Sequence, residues 1–280
     1  MMPAKILDGK ALATKIKAGL AEEVKKMSSR PGLAVILVGD NPASRVYVTS
    51  KRKDCEECGF YSEEYTLPAE TDPQDLLELI DVLNHRADID GILVQLPLPA
   101  QFDEKAVLLA IDPDKDVDGF HPMNVGKLMT GEPCFLPCTP AGVMALLEEG
   151  GIEPAGKHCV VLGRSNIVGK PQALLMLRKD ATVTICHSKT PDMAEECRKA
   201  DILVCAVGKT GLITPDMVRD GVVIVDVAMN RDENGKLCGD CCRETYEKAS
   251  CFTPVPGGVG PMTRAMLMDN TLRAAKLHGK

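Results

Sequence analysis

The sequence predicts a two-domain α/β protein in which each domain is built on a parallel sheet. Short apolar runs alternate with helical patterns from end to end, and the 280 residues suffice for two domains. The alternation is interrupted once, by a segment rich in Pro, Gly and polar residues from 113 to 140. We therefore expect a first domain over 1–139 and a second over 140–280, with the helix at about 260–280 packing back onto the first.

The first half alternates helix and strand. Leu12, Ile16, Leu20 and Val24 recur every four residues, which predicts one face of a helix. A capping residue before proline starts helices, so Asp72 followed by Pro73 predicts another. Continuous apolar runs that end at Gly or Pro predict buried parallel strands. The expected elements are helices over 8–27, 44–58 and 73–86 and strands over 33–38, 61–67 and 89–96, the strand over 61–67 being polar enough for a sheet edge.

The second half repeats this alternation after the long connection. The segment 113–140 shows little periodicity, and such long loops are usually functional or join domains. The expected elements after it are a helix over 140–149, strands over 159–162, 182–186, 202–207 and 222–227, and a helix over 260–278.

Charge and composition exclude several classes of protein. With 33 Lys and Arg against 40 Asp and Glu, the net charge is −7 and no basic run exists, so binding to nucleic acid or to an anionic membrane is not expected. No apolar stretch approaches a membrane span, and residues 1–17 resemble neither a secretory signal nor a transit peptide. The twelve cysteines are then expected to be reduced thiols of a cytoplasmic protein, and their spacing predicts no metal site.

A glycine-containing turn joins the strand over 159–162 to a helix. This order presents backbone N–H groups and a helix N-terminus to a phosphate, as in a Rossmann-type dinucleotide-binding domain. Only Gly163 and Gly169 remain of the usual three glycines, so an ordinary turn is the alternative. The next strand ends at Ser188 and Lys189, without the carboxylate that binds the ribose of NAD. With Arg164 nearby, this tip favours the 2′-phosphate of NADP, the alternative being a solvated loop.

Two spacings in the first half suit proton transfer. Tyr47 and Lys51 lie four residues apart and share a helix face. The neighbouring Arg52 and Lys53, together with partial burial, would lower the pKa of Lys51 towards neutral pH. A basic surface helix is the alternative.

Polar residues also follow the strand over 89–96. Gln95 is polar within an apolar run, and the carboxyl ends of parallel strands face the ligand crevice in such sheets. Asp116 and Asp118 lie in the long loop, two residues apart. They could bind a cation or pair with a ring that carries N–H donors, while a buried amide and solvated carboxylates are the alternatives.

Six motifs in order make the chain similar to a known family. They are Tyr47–Lys51, Gly91–Pro99, Lys115–Phe120, Pro137–Pro140, Gly163–Pro171 and Pro256–Thr263. Together they resemble the bifunctional methylenetetrahydrofolate dehydrogenase/methenyltetrahydrofolate cyclohydrolase (FolD) family over about residues 5–275. The resemblance implies NADP-dependent oxidation of 5,10-methylenetetrahydrofolate to the methenyl form, then hydrolysis to 10-formyltetrahydrofolate. It also implies a homodimer in which tetrahydrofolate derivatives bind in a cleft between the two domains.

The resemblance also assigns residues. Lys51 would transfer protons, Gln95 would hydrogen-bond to it, Tyr47 would pack on the folate, and Asp118 would bind the pterin ring. The implied catalytic residues are Tyr47, Lys51, Gln95 and Asp118. The implied substrate-binding residues are Tyr47, Gln95, Leu96, Pro97, Asp118, Pro256, Gly257 and Gly258. The implied NADP-binding residues are Gly163, Arg164, Ser165, Ile167, Val168, His187, Ser188, Ala206, Val207 and Gly208.

The chain departs from the family pattern at two places in the second half. Ala228 replaces a usual glycine and requires negative φ or strain. Cys241 and Cys242 replace the last two residues of a usual Gly-Asp-Val-Asp. Two other functions remain open at this stage: a dehydrogenase with little cyclohydrolase activity, and a folate- or nucleotide-binding protein without turnover.

Overall fold

The computed structural model describes residues 4–280, apart from the side chain of Ala43; the first three residues of the expected first domain lie outside the described residues. The strands are β1 (Lys5–Ile6), β2 (Gly32–Val38), β3 (Tyr61–Leu67), β4 (Gly91–Val94), β5 (His158–Leu162), β6 (Thr182–Cys186), β7 (Ile202–Cys205), β8 (Val223–Asp226), β9 (Asn230–Arg231), β10 (Leu237–Cys238) and β11 (Cys251–Phe252). The α-helices are α1 (Gly9–Val24), α2 (Pro42–Cys58), α3 (Pro73–His85), α4 (Glu104–Ala110), α5 (Pro122–Thr130), α6 (Cys138–Gly150), α7 (Gly169–Leu177), α8 (Met193–Arg198) and α9 (Val259–Leu277).

The chain forms two compact units. The three-stranded unit consists of Thr14–Cys138 and Arg264–Lys280. The six-stranded unit consists of Thr139–Thr263 and the described part of Met1–Ala13. The first residues belong to the six-stranded unit because β1 pairs with β11 there. The predicted α/β class with parallel sheets is therefore confirmed.

The sheet of the three-stranded unit has the order β3-β2-β4, with both pairs parallel. Every residue of the central strand β2 is buried. Its side chains alternate between two cores: Leu33, Val35 and Leu37 pack with residues of α1, α2 and α9, and Ala34, Ile36 and Val38 pack with residues of α3 and α4. The polar strand β3 lies at the sheet edge, as predicted.

The sheet of the six-stranded unit has the order β1-β11-β8-β7-β5-β6, and all its pairs are parallel. The order of β5 to β8 reverses between β5 and β7, because β6 lies on one side of β5 and β7 on the other. In doubly wound sheets, ligands bind outside the carboxyl ends of the strands at this reversal. The loops after β5 and β7 are therefore the expected ligand-binding loops of this unit.

The structure corrects the prediction of a featureless segment over 113–140. Helix α5 forms within it, because the His121 side chain accepts a hydrogen bond from the Met123 N–H, Pro122 occupies the first turn, and Gly131 ends the helix with φ of +83°. Helix α4 was also not predicted, although Asp103 caps it in the same way. Among the described residues, no helix combines the length and apolar character needed to cross a membrane.

Candidate active site

Lys51 is the central residue of the candidate site in the three-stranded unit. Its side chain points from α2 into the protein and is 8% exposed. The Nζ donates a hydrogen bond to Oε1 of Gln95 at 3.0 Å. Gln95 lies directly after β4, where its backbone N–H donates to the Ile36 carbonyl at 2.8 Å and its Nε2 to the Leu96 carbonyl at 2.8 Å. The amide is thus fixed, with its oxygen towards the lysine.

Burial lowers the pKa of Lys51, because the charged ammonium loses its hydration. Gln95 offers a neutral acceptor and cannot reverse this effect. The nearby Asp118 carboxylate acts in the opposite direction and raises the pKa of the lysine. The prediction attributed the lowered pKa to Arg52 and Lys53 as well as to burial. In the structure the first cause is burial, and the cation that contributes is Arg264.

The two aspartates of the long loop differ in role. Asp116 is 2% exposed, and its carboxylate accepts hydrogen bonds from the His121 N–H and the Asn124 amide, both at 2.8 Å. It therefore organises the start of α5. Asp118 lies close to Lys51, and the Cys138 thiol is 3.9 Å from its Oδ1. Burial raises the pKa of Asp118, while the lysine opposes that change.

The structure thus brings together Lys51, Gln95 and Asp118. Tyr47 precedes Lys51 by one turn on α2; its phenol is 38% exposed, and burial raises its pKa. Leu96 is half-buried and Pro97 exposed, and the peptide bond between them is cis. Both follow Gln95 at the carboxyl end of β4, where the resemblance placed substrate-binding residues.

Three residues around this site were missed by sequence reasoning. Asn270 of α9 is buried and donates to the Val117 and Leu136 carbonyls at 2.8 and 2.9 Å, which fixes the segment before Cys138. Asp54 of α2 is 1% exposed, and Arg264 of α9 contacts it. The spacing Tyr47, Lys51, Asp54 on one helix face was the available signal for Asp54.

In the six-stranded unit, the turn after β5 requires both of its glycines. Gly163 has φ of +115°, and a Cβ there would overlap the Ala206 carbonyl oxygen after β7. A Cβ at Gly169 would overlap the backbone of Gly163 and Arg164. The two loops at the sheet reversal therefore pack backbone against backbone.

The hydroxyl of Ser165 caps the helix that follows this turn. Its Oγ accepts hydrogen bonds from the Val168 and Gly169 N–H groups, both at 3.2 Å. Arg164 and Ile167 are exposed, and Val168 is half-buried. The start of α7 thus lies beside an exposed cation, as a phosphate site requires.

The tip of β6 carries no carboxylate. The Thr190 hydroxyl accepts from the His187 N–H at 2.9 Å, and the His187 Nδ1 accepts from the Lys189 N–H at 3.1 Å. These bonds close a tight turn that leaves Ser188 exposed. Strand β6 is the neighbour of β5, and the Gly163 N–H donates to the Cys186 carbonyl at 2.9 Å, so the two tips are adjacent.

The loop of Ala206, Val207 and Gly208 is held by a buried carboxylate that sequence reasoning did not single out. Oδ2 of Asp240 accepts from the Val207 and Gly208 N–H groups at 2.7 and 3.2 Å, and Oδ1 accepts from the Lys209 N–H at 2.7 Å. Asp240 is itself placed by its own N–H, which donates to Asp226 Oδ1 at 3.0 Å. The sequence signal was the match of Gly239-Asp240 to the family motif.

The loop of Pro256, Gly257 and Gly258 belongs to the six-stranded unit. Gly257 has φ of +105°, and its carbonyl accepts from the Lys10 N–H at 3.0 Å. A Cβ at Gly258 would come within 2.6 Å of the Pro254 carbonyl oxygen. The backbone therefore favours glycine at both positions, and contact of this loop with folate stays a prediction.

The residues at which this chain departs from the family pattern are accommodated by the structure. In residues 4–280, the non-glycine residues with positive φ are Asp180 and Asp192, so Ala228 carries no such strain. Cys241 packs with its Sγ 3.6 Å from that of Cys205 in the core. Cys242 places its Sγ 3.0 Å from the Thr245 hydroxyl. Within the described residues, no group of His, Cys, Asp or Glu has the arrangement of a metal site.

Fold and geometry together define a class: an α/β enzyme with a dinucleotide-binding unit and a second unit that carries a buried lysine. Residues 7–118 match the model of the tetrahydrofolate dehydrogenase/cyclohydrolase catalytic domain, and residues 137–279 match that of the tetrahydrofolate dehydrogenase/cyclohydrolase NAD(P)-binding domain. The chain belongs to the tetrahydrofolate dehydrogenase/cyclohydrolase family, which confirms the resemblance.

Similar proteins cover the whole chain. The bifunctional protein FolD of Ruminiclostridium cellulolyticum is 59% identical over 280 residues, 99% of each chain. A crystal structure of the bifunctional methylenetetrahydrofolate dehydrogenase/cyclohydrolase FolD from Campylobacter jejuni superposes with a TM-score of 0.96, at 51% identity over 98% of this chain and 99% of that one. The crystal structure of the Trypanosoma brucei FolD, complexed with NADP cofactor and inhibitor, superposes with a TM-score of 0.94, at 40% identity over 99% of both chains.

Proposed function

We propose that this chain is a bifunctional one-carbon folate enzyme. It oxidises 5,10-methylenetetrahydrofolate to 5,10-methenyltetrahydrofolate with NADP and hydrolyses that product to 10-formyltetrahydrofolate. The observation that carries the proposal is the buried hydrogen bond from Lys51 Nζ to Gln95 Oε1 at 3.0 Å. Burial lowers the pKa of this lysine, and a lysine with a lowered pKa is better able to take up and release the proton that hydrolysis moves.

The six-stranded unit fits NADP. Gly163 and Gly169 let the turn after β5 pack closely on backbone alone, and this turn leads into the N-terminus of α7, where N–H groups suit a phosphate. We assign Arg164 and Ser188 to the 2′-phosphate, because both are exposed and β6 ends without a carboxylate that would repel it. Loop 206–208 and His187 complete the assigned site. When bound, NADP accepts the hydride that leaves the one-carbon unit.

The three-stranded unit supplies the groups for hydrolysis. Water adds to the cationic methenyl carbon and must lose a proton as the adduct forms. Neutral Nζ of Lys51 accepts that proton, and the Oε1 of Gln95 orients the resulting ammonium by accepting from it. The adduct then opens as the bond between its one-carbon unit and N5 breaks, and the ammonium returns the proton to N5, which leaves the formyl group on N10. Asp118 accepts hydrogen bonds from the N–H donors of the pterin ring, and the phenol of Tyr47 packs against the folate. No other charged group is needed for these steps.

Domain roles, oligomeric state and location follow from the same family. We assign folate chemistry to the three-stranded unit and NADP to the six-stranded unit, with the Pro256–Gly258 loop bordering the folate. We also infer a cytoplasmic homodimer that binds neither nucleic acid nor membrane. The twelve free cysteines support a reducing compartment. Sedimentation equilibrium of the purified protein tests the dimer.

The decisive experiment follows absorbance at the methenyl-folate band. Methylenetetrahydrofolate with NADP should produce a rise, and added methenyltetrahydrofolate should decay faster than without enzyme. A rise without enzymatic decay would indicate a dehydrogenase alone. Neither signal from folded protein would indicate a binding protein and overturn the proposal. A rise with NAD alone would keep the family chemistry and refute the roles of Arg164 and Ser188.

Lys51→Met tests the proton-transfer role, because it removes the amine and keeps most of the volume. We expect cyclohydrolase kcat to fall by about 10²-fold or more. Lys53→Met is the matched control, since Lys53 lies on the same helix and is exposed. Wild-type hydrolysis by Lys51→Met would show that the assigned role is wrong.

A further inference from the structure

A buried ion-pair network lies beside the candidate catalytic lysine. The carboxylate of Asp54 is 1% exposed and lies between two cations: Lys17 Nζ is 2.6 Å from Oδ1, and Arg264 Nη1 is 3.0 Å from Oδ2. Lys17 also pairs with Glu57. Asp54 follows Lys51 by three residues on α2, so both project from one face of the helix.

The two cations compensate Asp54 differently. Lys17 donates a well-aligned hydrogen bond to Oδ1. Oδ2 has no aligned donor and is neutralised by the Arg264 charge alone. Without Arg264, the buried Oδ2 would have no cation in contact and the carboxylate would depend on Lys17 alone, at a cost in stability. The carboxylate therefore fixes where the guanidinium lies.

The guanidinium of Arg264 lies near Lys51, because it contacts Asp54, which follows Lys51 by less than one turn of α2. Its positive charge lowers the pKa of Lys51 and of Tyr47. The other groups that act on the Lys51 ammonium are the Asp118 carboxylate between α4 and α5, the Cys138 thiol of α6 and the Cys55 thiol of α2. Burial raises the pKa of both thiols far above neutral pH, so both stay uncharged. At neutral pH the charged neighbours of Lys51 are thus Asp118 and Arg264, with opposite effects.

We propose that Arg264 is a positioning residue for the reaction: held by the buried Asp54 carboxylate, its guanidinium keeps a fixed positive charge beside Lys51 that favours the neutral amine. The inference rests on the proposed role of Lys51. An arginine suits this task because it stays protonated throughout the working pH range. Asp54 can hold Arg264 without attracting the Lys51 proton, because its own charge is engaged by Lys17 and Arg264.

The test compares pH profiles of cyclohydrolase kcat/KM for the wild type, Arg264→Gln and Arg264→Lys. In such a profile, the limb assigned to Lys51 is the part where kcat/KM changes as Lys51 titrates. Loss of the positive charge should move the midpoint of this limb to higher pH by about 0.5–1 unit. This direction holds whether the amine or the ammonium is the active form. Arg264→Lys should restore the wild-type limb, because it keeps the charge. A limb that stays in place in Arg264→Gln would overturn the proposal.

Lys17→Met is the matched structural control. It removes the other cation from the same carboxylate but does not alter the charge that faces Lys51. We expect a lower Tm and a smaller upward shift of the pH limb than in Arg264→Gln, because Arg264 still pairs with Asp54. If the pH limb shifted equally in Lys17→Met and Arg264→Gln, the ion-pair network would affect Lys51 only by stabilising the fold. That outcome would refute the proposal. The double variant Asp54→Asn/Arg264→Gln leaves no uncompensated carboxylate and should fold, with the same upward shift.

A second readout separates this inference from the proposed function. The pH dependence of Lys51 acylation by acetic anhydride, followed by mass spectrometry, reports the proton affinity of the amine without turnover. If the wild type hydrolyses no methenyltetrahydrofolate, the proposed function fails, while this titration still tests Arg264. An acylation midpoint that does not rise in Arg264→Gln would refute the inference even if the enzyme is active.

Discussion

Asp240→Asn is the substitution from which we expect the largest effect on the cofactor loop. The Asp240 carboxylate is fully buried and accepts four hydrogen bonds. Three come from successive N–H groups of residues 207–209, and the fourth from Asn230 Nδ2 at 3.0 Å. Each oxygen accepts two of the four. Asparagine has the same shape, so the experiment changes charge and hydrogen bonding without changing volume.

The magnitude follows from this geometry. Whichever way the amide turns, its NH₂ replaces an oxygen that accepts two bonds and then faces N–H donors. Two bonds to a charged acceptor are lost, at about 1.5–3 kcal/mol each, so the cost is about 3–6 kcal/mol. Chains of this size lose roughly 2–4 °C in Tm per kcal/mol. The unfolding transition of the six-stranded unit should therefore move down by on the order of 10 °C.

Differential scanning calorimetry and NADP titration provide the assay. We expect the lower Tm together with a several-fold higher KM for NADP, because the loop that Asp240 fixes is assigned to the cofactor. Asp232→Asn is the control: its Oδ1 also accepts two N–H bonds, at 2.9 and 2.8 Å, but it is less buried and asparagine keeps that oxygen. An Asp240→Asn variant as stable as Asp232→Asn, with unchanged KM, would refute the reasoning.

Two further predictions concern charge. Ser188→Glu should raise KM for NADP by about tenfold or more and change KM for NAD little, because a carboxylate repels the 2′-phosphate; equal changes in steady-state kinetics with both cofactors would contradict the assignment. Burial raises the pKa of Asp116 to about 6, so folding takes up a proton between about pH 4 and pH 6 and the free energy of unfolding falls as pH rises through that range. Urea unfolding of Asp116→Asn should lack this slope, and a slope equal to that of the wild type would assign it to another group.

Much of the fold was predictable because local pattern and tertiary environment agree. The seven-residue run of β2 is apolar on both faces, and both faces are covered by helices. Helix α5 was missed because it is only nine residues long and lies in a segment rich in Gly and Pro, although His121-Pro122 and Gly131 carry its start and stop signals. The two-residue strand β1 was beyond local reasoning, since it exists only through its pairing with Cys251 and Phe252.

The candidate site was predictable only in part. Helical spacing places Tyr47 and Lys51 on one face, and the end of an apolar strand marks Gln95. Spacing could not separate Asp116 from Asp118, because the difference is that Asp116 accepts hydrogen bonds from the N–H groups of Phe120 and His121, just before α5. Nor could it find Arg264, which reaches α2 from a helix more than 200 residues further along the chain.

The partner of Lys51 explains why the neighbouring charges are arranged as they are. A carboxylate in the place of Gln95 would form a direct ion pair and keep the lysine protonated far above neutral pH. The neutral amide accepts from Nζ in either protonation state without fixing the charge. The proton affinity of Lys51 is then decided by burial, by Asp118 and by Arg264. Asp54 lies within the same helix face and would disturb that balance if it were unpaired. Its engagement by Lys17 and Arg264 therefore meets a requirement of the proposed role, in which Lys51 both gains and loses its proton during turnover.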